Sequence, residues 1–143
     1  MRLLQWLRAW VQRGRPAAEH LRRGRLGEQA ARTFLEEAGL RFLAANVRCG
    51  GSELDLVFRD GDCLVFIEVK ARSSETWGRP ASAVTAEKRR RLSRAAMGYV
   101  RRLDNARVKI RFDIVEVLLD ANGVREVRHL PCAFPLTSPL RYG

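Results

Sequence analysis

The stretch that decides the fold is "ELDLVFRDGDCLVFIEVKAR", Glu53 to Arg72. Both halves are rich in aliphatic, aromatic and β-branched residues, and Asp60-Gly61 between them is a strong hairpin signal. Alternation in the first half sets Glu53, Asp55 and Val57 against Leu54, Leu56 and Phe58. A two-residue Asp60-Gly61 turn places Arg59 opposite Asp62, Val57 opposite Leu64, Asp55 opposite Phe66 and Glu53 opposite Glu68. Residues directly opposite share a face, as do alternate residues along a strand. Glu53, Asp55, Glu68 and Lys70 therefore project from one side. Leu54, Leu56, Phe58, Val65, Ile67 and Val69 project from the other. A four-residue turn keeps this division, and a three-residue turn breaks it.

Charges inside a sheet are costly unless something pairs them. Three carboxylates on one face repel one another more than a single Lys neutralises. A divalent cation resolves that repulsion, and Mg²⁺ takes carboxylate oxygens while retaining waters. The alternative is a solvated sheet face carrying a Glu–Lys cross-strand pair. Leu64 and Phe66 share the charged face, so it is not wholly solvated.

Composition narrows the class. The 143 residues fit one domain with its own core. The chain carries 27 Lys plus Arg against 16 Asp plus Glu, a net charge of +11, and the excess is nearly all Arg. Such a balance favours a polyanionic partner, nucleic acid first and an anionic membrane surface second. Cys49, Cys63 and Cys132 lie far apart with no CxxC spacing, so neither a zinc ribbon nor a redox pair is supported. Free thiols in a reducing cytoplasm are the expectation. His20 and His129 are too few and scattered for a His-rich metal site.

The N-terminal "MRLLQWLRAWVQRGRP" is too short and too interrupted by Arg for a membrane span, and it lacks the features of a signal peptide. Its spacing predicts a short basic amphipathic helix. That helix either packs on the domain or frays, or it acts as an interfacial or nucleic-acid-contacting arm with Trp6 and Trp10 as anchors. "RGRPAAEHLRRGR" reads as a polar connector. The expected organisation is an arm over residues 1–23, a domain over 24–134 and a tail over 135–143.

Within the domain, "RLGEQAARTFLEEAG" has helical spacing and stops at Gly39. Glu28 lies on the packing edge of that helix, where the simplest reading is a first-turn Glu favoured by the helix dipole. "LRFLAANVR" is extended and "CGGS" a turn. After the hairpin, "SSETWGRPASAV" is a loop whose Trp77 either stacks on a base or closes the loop on the core. "TAEKRRRLSRAAMGYVRRL" is a helix capped by Thr85, with Leu92, Ala95, Ala96, Tyr99, Val100 and Leu103 as its apolar stripe. Arg90, Arg94 and Arg101 fall on the opposite side with Arg91 at the border, a face suited to phosphate. No partner at i+4 on the helix is evident for them. Lys88 is in line with the apolar stripe and points toward the sheet at the helix start. "VKIRFDIVEVLL" and "VREVRHLPCAF" are late strands, with Asp113 structural.

Asp55 followed by Glu68-Val69-Lys70 resembles the signature of the PD-(D/E)xK nuclease superfamily. The larger pattern is more specific. "GRLGEQAARTFLEEAGLRFLAANVR", "GGSELDLVFRDGDCLVFIEVKARSS", "WGRPASAVTAEKRRRLSRAA", "RFDIVEV" and "HLPCAF" resemble, in order, the bacterial YraN-type endonuclease family over residues 24 to 134. Ser52-Glu53 stands where that family commonly has Gly-Glu, so Ser52 either adds a hydroxyl near the site or replaces a turn Gly.

The resemblance implies an α/β domain with a restriction-endonuclease-like core, a mixed β-sheet flanked by α-helices. It implies hydrolysis of nucleic-acid phosphodiesters, with DNA, including branched or damaged DNA, as the expected substrate. Asp55 and Glu68 would hold Mg²⁺ or Mn²⁺ with the Val69 carbonyl. Lys70 would orient the attacking water or stabilise developing charge, and Glu28 would close the site. Glu53 would bind a second metal or a basic side chain. Ser52, Trp77, Lys88, Arg90, Arg91, Arg94 and Arg101 are the candidate nucleic-acid contacts. Resolvase-like relatives act as dimers, so a homodimer is an expected arrangement; no small-molecule cofactor is implied. The competing class is a non-catalytic nucleic-acid-binding module on the same fold.

Overall fold

Two tight turns build the first half of the sheet. Gly50 and Gly51, at φ 58° and 79°, occupy backbone space that L side chains rarely adopt, and they close the hairpin that opens at Cys49 and Ser52. Gly61, at φ 58°, turns the next. The computed structural model describes residues 2–73, 84–103 and 107–137, with backbone alone for 2–17. The elements are α1 (Arg2–Glu37), β1 (Arg41–Cys49), β2 (Ser52–Asp60), β3 (Cys63–Arg72), α2 (Ala86–Arg101), β4 (Lys109–Asp120) and β5 (Gly123–Phe134). They form a mixed α/β structure with one five-stranded sheet in the order β1-β2-β3-β4-β5. All neighbours are antiparallel except β3 and β4, which run parallel. A parallel pair needs a crossover, and α2 supplies it.

The two helices cover opposite faces. Leu35 and Ala31 of α1 pack with Leu56, Phe58, Val65, Ile67, Val115, Val117 and Leu119. Leu92, Ala95, Ala96 and Val100 of α2 pack with Val57, Leu64, Phe66, Phe112 and Ile114. The face carrying Leu64 and Phe66 is thus half core and half charge, as the sequence indicates. Thr85 caps α2 by accepting from the Lys88 N–H at 3.1 Å. At the end of α1, the Gly39 N–H donates to the Glu36 carbonyl and the Leu40 N–H to that of Leu35, both at 3.0 Å. Gly39, at φ 95°, is the stop that the sequence indicates.

Three expectations need correction. The stretch read as a connector, "RGRPAAEHLRRGR", is helical: α1 runs unbroken for 36 residues. The hairpin register is displaced by two: Val57 pairs with Phe66 and Arg59 with Leu64, so Asp60 pairs with Cys63 across a Gly61-Asp62 loop. An even displacement preserves strand parity, so Val57, Leu64 and Phe66 share one face and Leu56, Phe58, Val65 and Ile67 the other, as expected. Leu54, however, packs in the α2 cluster while Leu56 and Phe58 pack in the α1 cluster. The strand changes side at Asp55. Asn46 lies between the β1 partners of Leu54 and Leu56 and has φ 51°, which distorts the ladder at this point.

Among the described residues, no helix is long and apolar enough to cross a membrane. Trp77 and residues 138–143 of the tail lie outside the described residues, and so do the side chains of Trp6 and Trp10.

Candidate functional site

The distortion of β2 aims Asp55 at α1. One carboxylate oxygen each from Glu28, Glu53 and Asp55 lies within 4.8 Å of the others. Glu28 arrives there because α1 crosses β3 closely: a Cβ on Gly27 would meet the Ala71 Cβ at 3.3 Å. Asp55 is fixed by the Val69 N–H, which donates to its Oδ2 at 2.9 Å. That bond ties β2 to β3 where the regular pairing, last seen at Leu56 and Ile67, gives way to side chains.

Electrostatics in this group are strained. Burial first, then repulsion from Glu68, pushes the Asp55 carboxyl up to about 7, against the lowering effect of the Val69 N–H. Burial also raises Glu28, partly offset by a hydrogen bond from Asn46 and reinforced by Glu53. Among the described residues, no Lys or Arg pairs with Glu28 or Asp55, and the exposed Arg48 reaches Glu53 only at 3.9 Å. A divalent cation suits such a donor set, because it relieves a repulsion that the protein leaves uncompensated.

Glu68 lies outside the 4.8 Å trio although its charge bears on Asp55. It is buried on the α2 face, and the Lys88 Nζ lies 2.5 Å from its Oε1. Lys88 does point toward the sheet at the helix start, and it meets a carboxylate there. Lys70, half-buried near the end of β3, is held below its usual range chiefly by burial and then by Arg72, while Glu68 works the other way. The chain has 24 Arg and only three Lys, and two of those three converge on Glu68.

The remaining candidates divide. Arg90, Arg91, Arg94 and Arg101 are exposed on α2. Arg91 is not unpartnered, since Glu87 sits one turn earlier at 3.4 Å. Ser52 is at the hairpin mouth opposite Cys49.

Sequence reasoning missed two residues. Asn46 supports Glu28, and its readable signal is that Asn tolerates positive φ better than most residues. Glu116 on β4 is buried beside the site with both carboxylate oxygens lacking a hydrogen-bond partner. Asp113 is structural: it is fully buried, accepts from Arg111 at 3.1 Å and from the Cys132 N–H at 3.0 Å, and bonds His129 Nε2 at 2.7 Å.

Comparison with known proteins adds a lineage. The model of "Uncharacterised protein family UPF0102" matches residues 27–117. A UPF0102 protein of Syntrophus aciditrophicus is 46% identical over 109 residues, covering 75% of this chain and 84% of its own length. One from Symbiobacterium thermophilum is 46% identical over 111 residues, covering 78% and 94%. One from Solibacter usitatus is 49% identical over 115 residues, covering 74% and 87%. The matched stretch contains Glu28, Glu53, Asp55, Glu68, Lys70, Lys88 and Glu116.

Proposed function

This chain belongs to uncharacterised protein family UPF0102, and we propose that it is a metal-dependent nuclease of the PD-(D/E)xK type that hydrolyses phosphodiester bonds in nucleic acid, DNA foremost. The observation that carries the reading is the trio of carboxylates within 4.8 Å, drawn from a helix and a distorted strand. The β2-β3 hairpin, the parallel β3-β4 pair and the flanking helices support a restriction-endonuclease-like core. The net charge of +11 supports a polyanionic substrate.

Asp55, Glu53 and Glu28 would hold the cation, Mg²⁺ or Mn²⁺, with Glu68 and the Val69 carbonyl alongside. When bound, the cation supplies charge neutralisation at the phosphate and acidifies water. The chain's own part follows from its side chains. Hydrolysis forms a bond from a water oxygen to phosphorus, breaks a bond from phosphorus to a sugar oxygen, releases one proton from the water to solvent and delivers one from solvent to the departing sugar oxygen. Lys70, on β3 two residues beyond Glu68, is placed to orient the attacking water or to stabilise the developing negative charge at Nζ. Lys88 neutralises Glu68 and keeps it extended along the sheet. Arg90, Arg94 and Arg101 hold the backbone of the nucleic acid on the exposed face of α2.

One observation favours the non-catalytic alternative: the Lys88–Glu68 pair engages a carboxylate that the superfamily resemblance gives to the metal. A cleavage panel of linear, nicked, flapped and four-way DNA plus RNA, with Mg²⁺ or Mn²⁺, separates the two. Metal-dependent cleavage that Asp55→Asn abolishes supports the nuclease. Binding of the panel without cleavage, and no calorimetric response to Mn²⁺, supports the binding module.

A further inference from the structure

Asn46 holds a backbone conformation that needs a reason. It stands at φ 51° inside β1, in space that residues with a Cβ seldom enter. Gly enters that region most readily, and Asn follows it. The Asn46 side chain is exposed, so it fills no core volume. Packing of the side chain therefore does not account for the conformation.

Register shows what the turn achieves. Ala45 pairs with Leu56 and Val47 with Leu54, which sets Asn46 opposite Asp55. Ala44 and Val47, three residues apart, both pack in the α2 cluster, where regular alternation would put them on opposite faces. β1 therefore changes side between them, at the level where Leu54 and Leu56 show β2 changing side. The two strands turn over together at the Asn46–Asp55 pair. One carboxylate oxygen of Asp55 thereby comes within 4.8 Å of one from Glu28 and one from Glu53.

The same residue reaches a second member of the trio. The Asn46 side chain hydrogen-bonds the Glu28 carboxylate on α1. A carboxamide N–H donates without carrying a charge. It fixes Glu28 in place and leaves the repulsion among the three carboxylates for a cation to relieve. A Lys or Arg at this position would supply the neutralising charge itself.

We propose that Asn46 is the positioning residue of the cation site: its left-handed backbone turns Asp55 toward α1, and its carboxamide holds Glu28 to meet it. The proposal rests on the metal-dependent reading above and adds a residue that orients the ligands without being one. Removing such an outer partner typically weakens metal binding by roughly 10- to 100-fold.

The test is calorimetric titration of the full chain with Mn²⁺, with thermal melts in EDTA alongside. Asn46→Gly keeps the left-handed backbone and removes the donor. It should fold, and it should bind Mn²⁺ about 10-fold more weakly than wild type. Asn46→Ala removes the donor and strains the backbone, so it should bind more weakly still and melt lower. A double-mutant cycle separates positioning from a general structural role. In Glu28→Ala there is no carboxylate to hold, so adding Asn46→Gly should cost no further Mn²⁺ affinity. If Asn46→Ala does not fold, or Glu28→Ala binds too little Mn²⁺ to titrate, Asn46→Gly beside wild type decides. A wild-type chain that binds Mn²⁺ while Asn46→Gly binds it equally well overturns the positioning role alone. A loss that persists undiminished in Glu28→Ala does the same. A wild-type chain that gives no response to Mn²⁺ overturns the metal-dependent reading and this one together.

Discussion

Replacing Asp55 by Asn should stabilise the metal-free protein at alkaline pH, and the size of the effect can be worked out. Asp55 rises from an ordinary 3.8 to about 7 in the folded chain. The folded state therefore holds a proton that the unfolded state gives up between those values. Its contribution to stability is complete below about pH 4 and is lost progressively as the pH climbs through 7. Each pKa unit is worth about 1.4 kcal/mol, so the ceiling of the loss is about 4 kcal/mol. Asn is nearly isosteric, keeps an oxygen to accept the Val69 N–H, and carries no charge to desolvate. Urea unfolding in EDTA should show wild type and Asp55→Asn nearly equal near pH 4. The variant should become more stable by about 2 to 4 kcal/mol at pH 8. Mn²⁺ at 100 times its Kd should then return about 2.7 kcal/mol to the wild type at pH 8 and nothing comparable to the variant. A variant no more stable than wild type at pH 8, or a difference independent of pH, would refute the reasoning, because the acidic trio would not be under strain.

Three further outcomes follow from the same geometry. Lys70→Ala should lower cleavage by roughly 10²-fold or more while leaving DNA affinity within a few fold, measured by single-turnover kinetics beside anisotropy; equal losses would make Lys70 a binding residue. Replacing Arg90 and Arg94 together by Ala should flatten the salt slope by up to roughly 2 while the melting curve hardly moves, and an unchanged slope would place the nucleic acid elsewhere. Asp113→Ala should destabilise by about 3 to 5 kcal/mol in denaturant unfolding, since it strips a buried carboxylate from Arg111, His129 and the Cys132 N–H together; a loss below about 1 kcal/mol would show that the network carries little.

How far the sequence could be read depended on which rules were local. From Leu56 to Ile67 the faces of the β2-β3 hairpin were legible because strand parity survives a displacement of two residues. The register was not, because Asp60-Gly61 supports two placements of a two-residue loop. Gly61 takes the first loop position with φ 58°, a role only the folded backbone reveals. Leu54 eluded the alternation because the irregularity beside it belongs to Asn46 on the neighbouring strand. Lys88 could be aimed at the sheet from helical spacing, yet its partner Glu68 lies on another element, so the ion pair was beyond reach. Glu116 looked like an ordinary charge in "FDIVEVLL". Its ion-pair partners come from the strands on either side, Arg72 across the parallel β3-β4 pair and Arg128 across the antiparallel β4-β5 pair. The Arg-rich face of α2 needed no tertiary information, since Thr85 fixed the helix start and the apolar stripe fixed its orientation.

The scarcity of lysine gives this protein a built-in chemical handle. Acylating reagents that modify amines leave guanidinium groups untouched, and beyond the amino terminus they find only Lys70, Lys88 and Lys109. Lys109 is an exposed reference, paired with the equally exposed Asp62 at 2.8 Å. Lys88 is clasped to Glu68 and Lys70 is partly withdrawn from solvent. The relative acylation rates of three side chains, resolved by mass after cleavage at arginine, therefore report occupancy of the acidic site directly. A cation that draws Glu68 away would release Lys88 to the reagent, and a bound polyanion would shield it, with Lys109 keeping time for both.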